Sequence, residues 1–194
     1  MVTIKSKTGS IPLEEYVEKA RAFHSYAAPG VILGGFMVDL AYRHMPQGVI
    51  FDAISETGKC LPDAIQLLTL CTVGNSWLKV INLGRFALTL YDKDNGEGIR
   101  VWVDPTKLDK WSEVKIWFFE LKPKKEQNSQ LLLEQLKEAG GSICDYAKVK
   151  VDLRLLKTKR RTGFAICPRC KESYPATDGE VCLSCQGKVP YLTV

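Results

Sequence analysis

No run of eighteen apolar residues occurs in the sequence, so nothing in it reads as a membrane-spanning helix. The opening MVTIKSKTGSIPLEEYVEKA has no apolar core ahead of a cleavage site. It therefore does not read as a signal peptide, and the expected compartment is the cytoplasm. Internal repeats and low-complexity stretches are absent too. Histidine is scarce, with two in 194 residues, which limits the sites that imidazole chemistry could occupy to His24 and His44. Seven cysteines in a reducing compartment argue against a disulfide framework and for metal binding or catalysis. The length suits one well-buried domain with a small appendage.

Charge is unevenly placed. The formal net charge is +5, yet KVKVDLRLLKTKRR (148–161) alone holds seven Lys/Arg against one Asp. That segment carries +6, and the remainder sums to −1. The basic balance thus reports one local stretch. It could contact nucleic acid or an acidic partner. No aromatic residues are interleaved as a stacking platform, so the expectation is a solvated linker, with nucleic acid an unlikely partner.

Apolar spacing predicts a helix over 13–24, with Ser10 and Pro12 as start signals. A second begins at Pro29, a suitable first-turn proline, and runs to about His44. GVIFDAIS reads as a buried strand, and LPDAIQLLTLCT as a third helix led by Pro62 and Asp63. LKVINLG, RFALTLY, GIRVWVD and EVKIWFFEL read as strands, with Asn95-Gly96 supplying the positive-φ positions of a hairpin. QLLLEQLKEAGG predicts a helix stopped at Gly140, and KVKVDLRL a further strand. The order implies an α+β fold in which N-terminal helices pack on a mostly antiparallel sheet. The predicted domains are an α+β core over 1–157 and a zinc finger over 158–194.

The finger rests on CPRCKESYPATDGEVCLSC, residues 167–185. Two Cys-x-x-Cys pairs, eleven residues apart, can present four thiolates at about 2.3 Å to one tetrahedral Zn²⁺. Cys167, Cys170, Cys182 and Cys185 leave no coordination position for substrate, so this zinc is structural. It organises a segment too short to bury a core of its own.

Of the other cysteines, Cys71 and Cys144 read as buried small hydrophobes. Cys71 is placed near the far end of the third helix, roughly 16 Å from Cys60 by helical rise. Cys60 precedes the start of that helix, whose exposed N–H groups favour a thiolate, as would an inward-turned Lys59. His24 precedes the start of the second helix. If the two starts converge, an imidazole and a thiolate share a pocket suited to an anionic ligand or a second metal ion.

FHSYAAPG with the following GG, CLPDAIQLLTLCTVGN, GRFALTLYDKDNGEGIRV and the CPRC…CLSC tail, in that order, resemble the FmdE family, named for a component of formylmethanofuran dehydrogenase. The resemblance covers nearly the whole chain. It implies an α+β core that forms a homodimer with intertwined elements, a zinc-finger appendage, and an active site built from the first block and the cysteine of the second. The family's first block usually reads Phe-His-Gly-His-x-Cys-Pro-Gly. Phe23, His24, Pro29 and Gly30 match, whereas Ser25, Tyr26 and Ala28 stand in place of glycine, histidine and cysteine. Two potential ligands are thereby replaced.

The expected catalytic or second-metal residues are His24 and Cys60, with Tyr26, Asp63, Thr72 and Asn75 lining the same pocket for substrate. The leading expectation is an FmdE-like metal-binding protein, an accessory or an enzyme of one-carbon or molybdenum/tungsten-linked metabolism, holding a small-molecule or anionic ligand. The alternatives are a noncatalytic dimeric scaffold, or an interaction module working through the finger and the 148–161 segment.

Overall fold

The computed structural model describes residues 2–156 and 163–191. The chain divides into two compact units, Met1–Leu153 and Arg154–Val194. The boundary expected at 157/158, and the basic residues 157–161, lie outside the described residues.

The first unit opens with a hairpin that the sequence pattern does not predict, β1 (Thr3–Ser6) and β2 (Gly9–Pro12). Its antiparallel register sets Ile4 opposite Ile11, and both are buried. Ser10 pairs with Lys5 in this hairpin instead of capping a helix. Helix α1 (Leu13–His24) buries Leu13, Tyr16, Val17 and Ala20, the one-face spacing expected of an amphipathic helix. Helix α2 (Pro29–His44) is buried without interruption from Gly30 to Asp39. A helix apolar on all sides belongs at the centre of a fold, and α2 packs against both the other helices and the sheet. Its glycines make that possible. A Cβ on Gly34 would come within 2.6 Å of the Ala64 Cβ, and one on Gly35 would collide with the Tyr16 ring. Buried Asp39 accepts the Lys5 N–H at 2.9 Å and pairs with Arg43 at 2.7 Å, which ties the hairpin to α2.

The sheet has five strands in the order β4-β3-β5-β6-β7: β3 (Phe51–Ser55), β4 (Leu78–Val80), β5 (Ala87–Asp92), β6 (Glu97–Val103) and β7 (Cys144–Lys150). Only β3–β4 is parallel. Helix α3 (Leu61–Leu68) forms most of that crossover. The fold is thus α+β with helices on a mostly antiparallel sheet.

Four local expectations are corrected. Helix α3 ends at Leu68, because the Thr69 hydroxyl donates to the Ile65 carbonyl at 2.7 Å while accepting the Cys71 N–H at 2.9 Å. Cys71 therefore lies beyond the helix, and the helical-rise distance does not apply to it. EVKIWFFEL is not a strand; Ser112–Phe118 form helix α4. Its first-turn N–H groups at Glu113 and Val114 are satisfied by the Gln135 side chain from helix α5 (Ser129–Ala139), a tertiary partner that overrides the strand-like run. In the β5–β6 turn only Gly96 takes a positive φ, since the Asp92 and Asn95 side chains brace the loop by accepting backbone N–H groups. The last strand starts earlier than expected, at Cys144, and stops at Lys150; residues Leu153–Leu156 form a short helix, α6. Cys71 and Cys144 are buried, and burial pushes their thiols up to about 11 and about 12, as inert core cysteines require.

The second unit carries the hairpin β8 (Phe164–Ile166) and β9 (Ser173–Pro175), with Cys167, Tyr174 and Cys182 as its small core.

Candidate ligand cleft and four-cysteine zinc finger

Two residues in the left-handed region shape the first site. Ser25, at φ 67°, ends α1 and turns the chain so that Ala28 donates to the Tyr26 carbonyl at 2.8 Å before α2 begins. Cys60, at φ 55° and ψ −48°, precedes α3 without any side-chain cap. Non-glycine residues there carry strain of about 1–3 kcal/mol that the surroundings must impose. The loop leading to Cys60 is fixed accordingly. Buried Glu56 accepts Arg100 through both carboxylate oxygens, at 2.6 and 2.9 Å, and Arg85 at 2.7 Å. These guanidiniums hold its carboxyl below the usual range, chiefly through the Arg100 hydrogen bond. Ser55 donates to the Thr57 carbonyl at 2.7 Å, and the Thr57 hydroxyl accepts the Lys59 N–H at 3.1 Å. Sequence reasoning does not single out Glu56 and its arginines, because the one available signal is a lone acidic residue at the end of a buried strand.

The starts of α2 and α3 do converge. A Cβ on Gly30 would lie 2.8 Å from the Cys60 Cβ and 3.0 Å from its Sγ, so the missing side chain at Gly30 is what admits the thiol. Cys60 and Gly30 line a cleft of about 1020 Å³ together with Tyr26 and Ala28. The facing wall comes from Trp117, residues 120–124, and the start of α5 at Ser129 and Leu132. The sequence gives no sign of this wall, because the α4 segment reads as a strand and its apolar residues then belong to a sheet.

Asp63, in the first turn of α3, accepts from His24 Nδ1 at 2.5 Å. The His24 and Tyr26 rings lie 5.3 Å apart, and Lys124 Nζ sits 5.4 Å from the Tyr26 centroid on a cation–π contact. His24 itself is not among the residues lining the cleft; it stands behind Tyr26, oriented by Asp63. The thiolate expected at Cys60 is corrected. Burial, followed by the Asp63 charge, pushes that thiol up, against the smaller opposing effects of Lys59 and Lys124. Thr72 and Asn75 are not brought to the cleft. They close a turn on each other: Thr72 N–H donates to Asn75 Oδ1 and Asn75 N–H to Thr72 Oγ1, each at 3.0 Å. Asn75 also donates to the Leu70 carbonyl at 2.8 Å.

Among the described residues, one group gathers three or more His, Cys, Asp or Glu ligand atoms within 4.8 Å of one another: Cys167, Cys170, Cys182 and Cys185. The Cys170 and Cys182 sulfurs are 3.6 Å apart, near the ~3.8 Å edge of a tetrahedron with 2.3 Å zinc–sulfur bonds. The knuckle geometry is set by Lys171, at φ 67°, whose N–H donates to the Cys167 carbonyl at 2.9 Å, and by Cys185 N–H donating to Cys182 Sγ at 3.4 Å. Backbone N–H groups lower the Cys167 thiol, whereas burial and neighbouring sulfurs raise Cys185. Four thiolates at such separation repel one another, and a dication relieves that repulsion. Donor type, number and spacing all fit Zn²⁺, which these four residues hold as a structural ion. Arg169 donates to the Cys185 carbonyl at 3.2 Å and Lys171 Nζ to that of Pro168 at 2.8 Å, which places both cations beside the negative centre.

Comparison with known proteins agrees with this geometry. The family model described as "FmdE, Molybdenum formylmethanofuran dehydrogenase operon" matches residues 23–151, and that of the "FmdE treble clef zinc finger" matches residues 158–192. A crystal structure of an FmdE-like protein of tungsten formylmethanofuran dehydrogenase, from Syntrophus aciditrophicus, is 50% identical, with a TM-score of 0.88. That match covers 99% of this chain and 100% of the other. A curated protein of Archaeoglobus fulgidus, named "Probable S-adenosyl-L-methionine-binding protein", is 28% identical over 192 residues. The match takes in 87% of this chain, which spans about half (52%) of that relative.

Proposed function

The chain belongs to the FmdE family, and we propose that it is an accessory ligand-binding protein of one-carbon, molybdenum- or tungsten-linked metabolism whose working site is the cleft at Cys60. The observation that carries this reading is the placement of Cys60 in a left-handed backbone against Gly30, at the edge of a cleft large enough for an organic ligand. Strain of this kind concentrates at functional sites. A second metal ion held by His24 and Cys60 is the weaker reading, because with Tyr26 and Ala28 at the replaced positions the core gathers no three-ligand cluster among the described residues. The finger's zinc keeps its own segment folded and takes no part in the cleft's chemistry.

Metal content and thiol protection test this. Wild type and Cys60→Ala are expected to hold the same single zinc equivalent per chain. Alkylation of Cys60 is expected to slow when S-adenosylmethionine, suggested by the name of the Archaeoglobus relative, or a nucleotide is added. A second metal equivalent lost with Cys60 would replace this reading with a metal centre.

The homodimer implied by the family is carried forward on a specific surface. Leu70, Val73, Trp77, Val80, Ile81 and Leu83 are all exposed along edge strand β4 and its flanks. An open strand edge beside so much apolar surface is suited to burial against a second copy. Light scattering of wild type and Trp77→Glu checks it, with the variant expected to shift toward monomer.

A further inference from the structure

Three cationic side chains, Arg21, Lys122 and Lys124, line the cleft against one carboxylate, Glu120. Lys122 and Lys124 form no ion pair among the described residues, and Arg21 reaches only the exposed Glu18, at 3.7 Å. The positive charge on this wall is thus largely uncompensated within the chain. Trp117 adds a large apolar surface to the same wall, and Tyr26 stands opposite beside Lys124. At about 1020 Å³ the cleft far exceeds what a bare inorganic anion fills, and it sits at the upper end of the range for drug-sized ligands.

We propose, resting on the reading of this cleft as a ligand site, that it takes an organic anion of mononucleotide size. The phosphate or carboxylate lies against Lys122, Lys124 and Arg21, and the flat apolar part lies along Trp117. Unpaired lysines supply long-range attraction that depends on ionic strength, while the apolar wall supplies burial that does not. An anion with a ring should therefore bind better than either part alone.

The experiment is calorimetric titration of the zinc-loaded full chain with AMP, adenosine and inorganic phosphate, at low and high salt. AMP is expected to bind with adenosine about tenfold weaker, phosphate without saturation, and the AMP affinity to fall with salt. The double variant Lys122→Ala/Lys124→Ala, at exposed positions that leave the fold intact, should bring AMP down to the affinity of adenosine. If AMP and adenosine bind equally, or the double variant binds AMP as wild type does, the anion assignment is overturned while the cleft stands as a ligand site. If none of the three binds and none slows alkylation of Cys60, the assignment and the reading beneath it both fall.

Discussion

At Gly30 a single hydrogen in place of a side chain decides whether the Cys60 sulfur has room. Gly30→Ala would force a methyl to within 3.0 Å of Cys60 Cβ and Sγ, and we expect a loss of about 1–3 kcal/mol in chemical denaturation together with faster alkylation of Cys60. Glu56 is the second decisive residue. Its carboxyl is held below the unfolded value by Arg100 and Arg85, so the stability it contributes is complete above the ordinary glutamate range. That contribution is lost as pH falls through the depressed folded value. Glu56→Gln should therefore destabilise the protein at neutral pH, by about 3 kcal/mol for breaking a buried pair, and flatten its stability profile on the acid side. Denaturant midpoints between neutral pH and pH 4 would show both effects. A variant as stable as wild type at neutral pH would mean that the two arginines contribute nothing net.

Among the elements, α2 sets the arrangement of the others. Its glycine face brings α1 and α3 close enough for His24 to reach Asp63, so Gly34→Val should separate α2 from α3 and weaken the His24–Asp63 contact. The expected readouts are a thermal midpoint several degrees lower and a changed His24 ring resonance in NMR. Much of this architecture is legible in the sequence. The α1 and α2 ranges, the glycine stop of α5 and the cysteine knuckles follow from local rules, because spacing, proline and glycine act within a few residues. What stays hidden depends on partners distant in sequence. EVKIWFFEL alternates well enough to resemble a strand until Gln135 satisfies its first-turn N–H groups. The β1–β2 hairpin is too short and polar to announce itself, and its link to Asp39 spans 34 residues. The convergence of His24, Asp63 and Tyr26 can be suspected from the FmdE-like blocks. The α4–α5 wall of the cleft cannot, since a strand over the α4 residues would place them in the sheet.

For the molecule as a whole, the two units are stabilised by different means. The core unit buries a continuous apolar cluster, whereas the finger's buried core is Cys167, Tyr174 and Cys182, two of which are zinc ligands. Removing zinc with a strong chelator should therefore unfold 163–191 and leave the thermal transition of the core in place, a contrast that limited proteolysis and calorimetry can read. The unusual backbone at Cys60 has a parallel effect on the core. Glycine adopts that conformation freely, so Cys60→Gly should relieve strain and raise the melting temperature, offset by the small hole left by the sulfur. A sequence that keeps a chiral residue where an achiral one would be more comfortable gives up robustness for reactivity, and selection for heat resistance alone should discard this thiol early.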